Sequence, residues 1–156
     1  MLQRNRDLPA GRNYVWRLLK LRLRSEFEIR DKLKFKNFTA ALIDELVAHF
    51  KEKGYINDRE FAHLWIEDRL NKPLGFKAIE RELESKGLSR ELIQELISLK
   101  KKEVDEVSLA RELTQRQFNK LKERKEPADK IKPKLYGYLA RRGFSYETIS
   151  EIITEL

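Results

Sequence analysis

The chain is 156 residues long and carries a net charge of +8; charged residues make up 38%, apolar residues 40%, and cysteine is absent. Disulfides and thiolate metal sites are thereby excluded, and a reducing compartment is the natural one. No apolar run approaches the ~20 residues that a membrane span needs, and the basic N-terminal stretch lacks the apolar core of a signal peptide, so a soluble cytoplasmic protein without membrane attachment is expected.

The charge is unevenly spread. Residues 1–36 hold 11 Lys/Arg against 4 Asp/Glu, residues 37–97 hold 9 against 12, and residues 98–156 hold 14 against 10. A basic–acidic–basic layout suits a partner of mixed charge, or a polyanion gripped by the two ends.

In chain order, residues 1–12 are polar and basic, with Pro9 and Gly11, and read as a flexible basic arm. A helix is predicted over 13–24, with Tyr14, Leu18 and Leu21 on one side and Arg17, Lys20, Arg22 and Arg24 between. Ser25 followed by Glu28 is a capping box, so a second helix starts there. A third is predicted from Thr39 to Lys53, ending at Gly54. The set Asn57 to Glu60 opens a helix over 58–71 that buries Phe61, Ala62, Trp65 and Ile66; Pro73 and Gly75 close it. After Lys100 to Lys102 a longer helix is predicted over 104–123. Leu121 to Lys130 reads as a solvated linker. Pro133 fits only the first turn of the helix that follows, where a missing N–H matters little.

The stretch Gly75–Ile97 occurs three times. Shifted back by 50 positions it lies on Ser25–Val47, and shifted forward by 56 it lies on Ile131–Ile153. Leu83 then answers to Leu33 and Leu139, and Ile93 to Ile43 and Ile149. Each copy reads helix, tight turn, helix. The turns carry Asn37, Gly87 and Gly143 at the position that favours a left-handed backbone, followed by the N-cap residues Thr39, Ser89 and Ser145. The third helices space their apolar residues as a one-sided stripe. An all-α fold of three tandem three-helix repeats is therefore expected, over 13–54, 55–102 and 103–156, longer than a compact globule because each unit touches only its neighbours.

Chemistry of its own is not expected. Asp44, Glu45, Asp58, Glu60, Glu67 and Asp68 are adjacent or near-adjacent in pairs that point around a helix rather than converge, and His49 and His63 lack a metal-ligand pattern. There is no Gly-rich phosphate loop, no nucleophile elbow and no cysteine nucleophile. A helix-turn-helix reader of DNA would need a basic final helix; the last one here carries Glu147, Glu151 and Glu155 and no Lys or Arg, which opposes the phosphate term that dominates binding.

The chain resembles the RecX family of bacterial regulatory proteins. The resemblance is carried by Leu18-Leu19 with Arg24-Ser25-Glu26, Gly54 to Asp58 with Phe61-Ala62, Arg69, Gly75, Ile79, Glu82-Leu83, Lys86-Gly87, and Leu139 to Ser145. Asn37, where a glycine is usual, and Pro133 depart from the pattern. The resemblance implies three three-helix units in an elongated, curved array. It also implies a non-enzymatic monomer without cofactors that binds the groove of a RecA–DNA filament and modulates, mostly inhibits, its ATPase, strand exchange and filament growth, in the setting of DNA repair, homologous recombination and the SOS response. Any ATP belongs to the partner, and direct contact with single-stranded or duplex DNA would be weak. The candidate partner- or DNA-binding residues are Arg17, Lys20, Arg22, Arg24, Arg69, Lys72, Lys132, Lys134, Arg141 and Arg142. The alternative is a sequence-nonspecific nucleic-acid-binding protein without a dedicated protein partner.

Overall fold

The computed structural model describes residues 7–156. Among them are nine helices and no strand: α1 (Leu8–Leu21), α2 (Glu26–Phe35), α3 (Ala40–Glu52), α4 (Asp58–Asn71), α5 (Phe76–Ser85), α6 (Arg90–Glu103), α7 (Glu106–Glu123), α8 (Ala128–Arg141) and α9 (Tyr146–Thr154). Every extensive helix–helix contact lies within α1–α3, within α4–α6 or within α7–α9. These are the three units.

The turn before the third helix of each unit repeats atom for atom. Asn37, Gly87 and Gly143 adopt φ of 59, 77 and 83°. The amides of Phe38, Leu88 and Phe144 then reach back to the carbonyls of Leu33, Leu83 and Leu139 at 3.1, 3.3 and 3.3 Å, the bond that closes a helix through a left-handed residue. Thr39, Ser89 and Ser145 accept the amides of Leu42, Leu92 and Thr148. One of the orphan donors at each helix start is thus satisfied by the same turn that ends the helix before.

The cores are separate. Val15, Leu18, Ile29, Leu33, Leu46 and Phe50 fill the first unit, and Phe61, Ile66, Phe76, Ile79, Leu83 and Ile97 the second. The third holds one cluster around Ala110, Leu139, Phe144 and Ile149 and a smaller one of Leu121, Ile131 and Leu135. The chain exposes 10349 Å² of surface for 18.7 kDa, against roughly 8300 Å² for a compact monomer of that mass. A row of small units carries that excess.

Successive units meet through one repeated joint. At the first, the Ser25 hydroxyl donates to the Lys86 carbonyl at 2.6 Å, and the Glu26 amide donates to Asp58 Oδ1 at 2.8 Å. At the second, the Gly75 amide donates to the Arg142 carbonyl at 2.8 Å, and the Phe76 amide donates to Glu106 Oε1 at 2.9 Å. The start of a unit's second helix is therefore satisfied by the turn and the opening carboxylate of the next unit. Burial pushes the Asp58 carboxyl up, with the Glu26 amide pulling it back. Backbones come so close that a Cβ on Gly75 would lie 2.4 Å from the Gly143 carbonyl.

Four local expectations are corrected. α1 begins at Leu8, where Asp7 accepts the Ala10 amide and Gly11 lies against Leu46, so residues 8–12 are helix rather than arm; residues 1–6 lie outside the described residues. Leu21 is 78% exposed, because α1 ends there and the chain turns away extended at Arg22. The stretch from Leu121 to Lys130 is mostly helical: α7 and α8 run on until Leu121 and Ile131 pack together, leaving only 124–127 between them. Pro133 consequently sits inside α8 instead of in its first turn. It is on the exposed face, and the backbone bond it deletes would have gone to the carbonyl of the equally exposed Asp129.

Candidate partner interface

The ten basic residues singled out in the sequence fall into three groups. Arg22, Arg69, Lys72 and Lys134 are held in ion pairs inside the chain: with Glu28 at 2.5 Å, with Glu82 at 2.6 Å, with Asp68 at 2.9 Å and with Glu126 at 2.5 Å. Arg17, Arg24 and Arg142 rest on the backbone or on rings. The Arg24 Nε donates to the Leu18 carbonyl, one of the unpaired acceptors at the end of α1, and burial pushes its guanidinium down. Arg17 lies 5.7 Å from the Tyr14 ring centroid and Arg142 4.7 Å from that of Tyr138. Lys20, Lys132 and Arg141 project into solvent with no hydrogen bond or ion pair among the described residues.

The first joint absorbs much of the positive charge. Glu28, only 12% exposed, receives Arg22, the Ser25 amide and Lys86 from the second unit. Lys86 also stands over the Trp65 ring at 5.1 Å, while Arg69 stacks on it at 4.2 Å and both Arg69 and the indole N–H bond Glu82. Arg69 thus covers Trp65 with its planar head and is fully engaged. Burial alone would raise the Glu28 carboxyl, but the bonds from Arg22, the Ser25 amide and Lys86 outweigh it and hold it at about 2. A carboxyl with its folded value below its unfolded one contributes stability that is complete above about pH 4.5 and drains away as the pH falls towards 2. Thermal melts should show a loss on the order of 3 kcal/mol across that window. Glu28→Gln should lower stability at neutral pH and flatten the profile; an unaltered acid profile would show that the joint does not depend on this charge.

Two of the predicted residues do converge. Lys134 and Arg141 line a groove of about 570 Å³ between α7 and α8, together with Arg124, Lys130, Gly137 and Tyr138. Arg124 and Lys130 were missed because both sit in the stretch read as a linker. The spacing of Lys130, Lys134 and Arg141 along one helical stripe was the available signal. At Gly137 the Arg141 guanidinium lies back along α8, its Nη1 3.1 Å from where a Cβ would stand. The remaining predicted cations do not share a cavity with these. Among the described residues no cluster of His, Asp or Glu could hold a metal ion, and no helix is long and apolar enough to cross a membrane.

Models of three successive RecX domains match the chain: the first three-helix domain over residues 12–50, the second over 57–97 and the third over 103–153. A regulatory protein RecX from Haemophilus influenzae (strain PittEE) is 33% identical over 142 residues, covering 90% of this chain and 91% of that protein. The chain belongs to the RecX family. A RecX from Clostridium beijerinckii is 32% identical over 141 residues, and there the match spans 90% of this chain but 65% of the longer relative. The crystal structure of RecX from Lactobacillus salivarius superposes with a TM-score of 0.82 at 25% identity, over 96% of each chain. The three-unit architecture is thus that of solved RecX structures, and the relatives are named regulatory proteins.

Proposed function

We propose that this RecX-family chain regulates the RecA recombinase, lodging along the groove of the RecA–DNA filament in the cytoplasm and lowering its ATP hydrolysis, strand exchange and growth. The observation that carries this is the match of all three domains, in order, to RecX. The architecture supports it. Three units are joined by a repeated joint, and contacts too weak to hold singly add up when they are linked. The chain acts as a monomer without catalysing a reaction; the ATP hydrolysed is RecA's. Electrostatic contact with DNA in the filament adds to the protein contact and weakens with salt.

Titration into a RecA ATPase assay on single-stranded DNA tests this. ATP hydrolysis should fall at amounts of protein well below those that saturate the DNA lattice. An effect that appears only at DNA saturation would favour instead a sequence-nonspecific nucleic-acid binder competing for the lattice.

A further inference from the structure

The groove between α7 and α8 gathers several cations on one concave surface, whereas the unpaired Lys20 and Lys132 lie outside it. Arg124, Lys130 and Arg141 line it with no hydrogen bond or ion pair among the described residues, and Lys134 is the single lining cation that is paired, through Glu126. No carboxylate lines it. Three cations without a partner share one concave surface with Lys134, and their mutual repulsion favours an anion there.

The geometry narrows the anion. From Lys130 to Arg141 the stripe along α8 rises about 16 Å, so its cations cannot converge on one phosphate or one carboxylate. A linear polyanion fits this layout and a small ion does not. The two arginines offer planar forks that match phosphate oxygens. The wall between the cations includes Tyr138, half-buried against the core of the third unit with the Arg142 guanidinium 4.7 Å from its ring centroid, and Leu121 and Pro133. Flat apolar surface alternating with guanidinium is what a nucleobase stacks on. An acidic peptide would find no such use for the ring.

We infer that the α7–α8 groove of the third unit is a binding site for the phosphodiester backbone of single-stranded nucleic acid, with Arg124, Lys130, Lys134 and Arg141 on the phosphates and Tyr138 against a base. The inference rests on the regulatory reading only in that the filament supplies the strand. Its test needs no recombinase.

Fluorescence anisotropy with a labelled oligothymidylate, at salt concentrations from 50 to 200 mM, provides the readout. Arg124→Glu with Lys130→Glu should weaken binding at least tenfold at the lowest salt. The dependence of log affinity on log salt should become shallower by about 1.4, roughly 0.7 for each phosphate that is no longer neutralised on a single strand. Arg90→Glu with Lys102→Glu, the same change in net charge away from the groove, should have a much smaller effect. Lys130→Glu with Arg141→Glu replaces the first variant should that one melt early. Equal losses in groove and control variants, or no loss in either groove variant, would overturn the assignment. So would displacement of the oligonucleotide by a polyglutamate of equal charge at equal concentration. If instead the groove variants lose DNA while wild-type protein leaves RecA hydrolysis unchanged, the groove stands and the regulatory reading falls.

Discussion

Alanine at position 143 should separate the third unit from the second and cost about 2–5 kcal/mol, one of the largest losses available from a single methyl group. Gly143 has φ of +83°, and its Cβ would lie 2.3 Å from the Ala78 Cβ and 2.4 Å from the Ala78 amide nitrogen. The obstacle is therefore α5 itself, not a side chain that can swing aside. Its carbonyl also accepts the Lys77 amide at 3.1 Å, so moving α5 away breaks a joint bond as well. Gly54 supplies the control, since it has φ of +78° with nothing within 4 Å of the added Cβ. Gly54→Ala meets only the left-handed backbone penalty, roughly 1–2 kcal/mol. Denaturant unfolding of the two variants measures the difference, which is the joint's share. Equal losses at both positions would mean that the close approach at Gly143 relaxes without consequence.

The turn chemistry of this chain was legible because it is local. Asn37, Gly87 and Gly143, with Thr39, Ser89 and Ser145 two residues on, are sufficient to place both helix ends, and the apolar set repeated at offsets of 50 and 56 is sufficient to identify the equivalent core positions Leu33, Leu83 and Leu139. What composition conceals is where a helix extends for the sake of a partner far along the chain. Leu8–Gly11, with its proline and glycine and its polar, basic surroundings, looks broken, yet it is helical and Gly11 lies on Leu46. Leu121 and Ile131 flank a charged, proline-containing stretch, and only their mutual burial shows that the two helices run almost into one another.

The candidate interface was less legible than the fold for the same reason. A basic residue counts towards an interface only if its charge is unspent, and that depends on carboxylates which sequence distance hides. Arg22 is six positions from Glu28, but Glu28 is shared with Lys86 of the next unit. Arg69, a candidate binding residue by sequence, is clamped by Glu82 and Asp68. The middle unit repeats this pattern: Lys100 pairs with Glu67 and Glu103, and Arg59 with Glu95. Glu67, Asp68, Glu82 and Glu95 of this unit all hold cations of the same unit. Cations without an ion pair remain in every unit; in the third, Arg124 and Lys130 lie in the segment that sequence pattern described worst.

Leu83→Ala and Leu139→Ala remove equivalent, fully buried side chains from the second and third units, and should each cost about 2–5 kcal/mol of local stability, yet unfold the chain differently. A unit in a row is stabilised by its own core and by its interfaces with neighbours. The second unit owns both joints: it receives Ser25 and Glu26 from one side and offers Gly75 and Phe76 to the other. Emptying its core with Leu83→Ala should loosen both joints, so that all three units lose hydrogen-exchange protection together and the melt stays a single transition at lower temperature. The third unit owns one joint and has two small clusters in place of one core. Leu139→Ala should therefore let α7–α9 open by itself, giving a broadened melt in which α1–α6 keep their protection. Exchange measured unit by unit distinguishes the two patterns. Identical behaviour of both variants would mean that the joints carry too little energy to couple the units. In that case the relative placement of the basic surfaces would be set by the filament rather than by the chain.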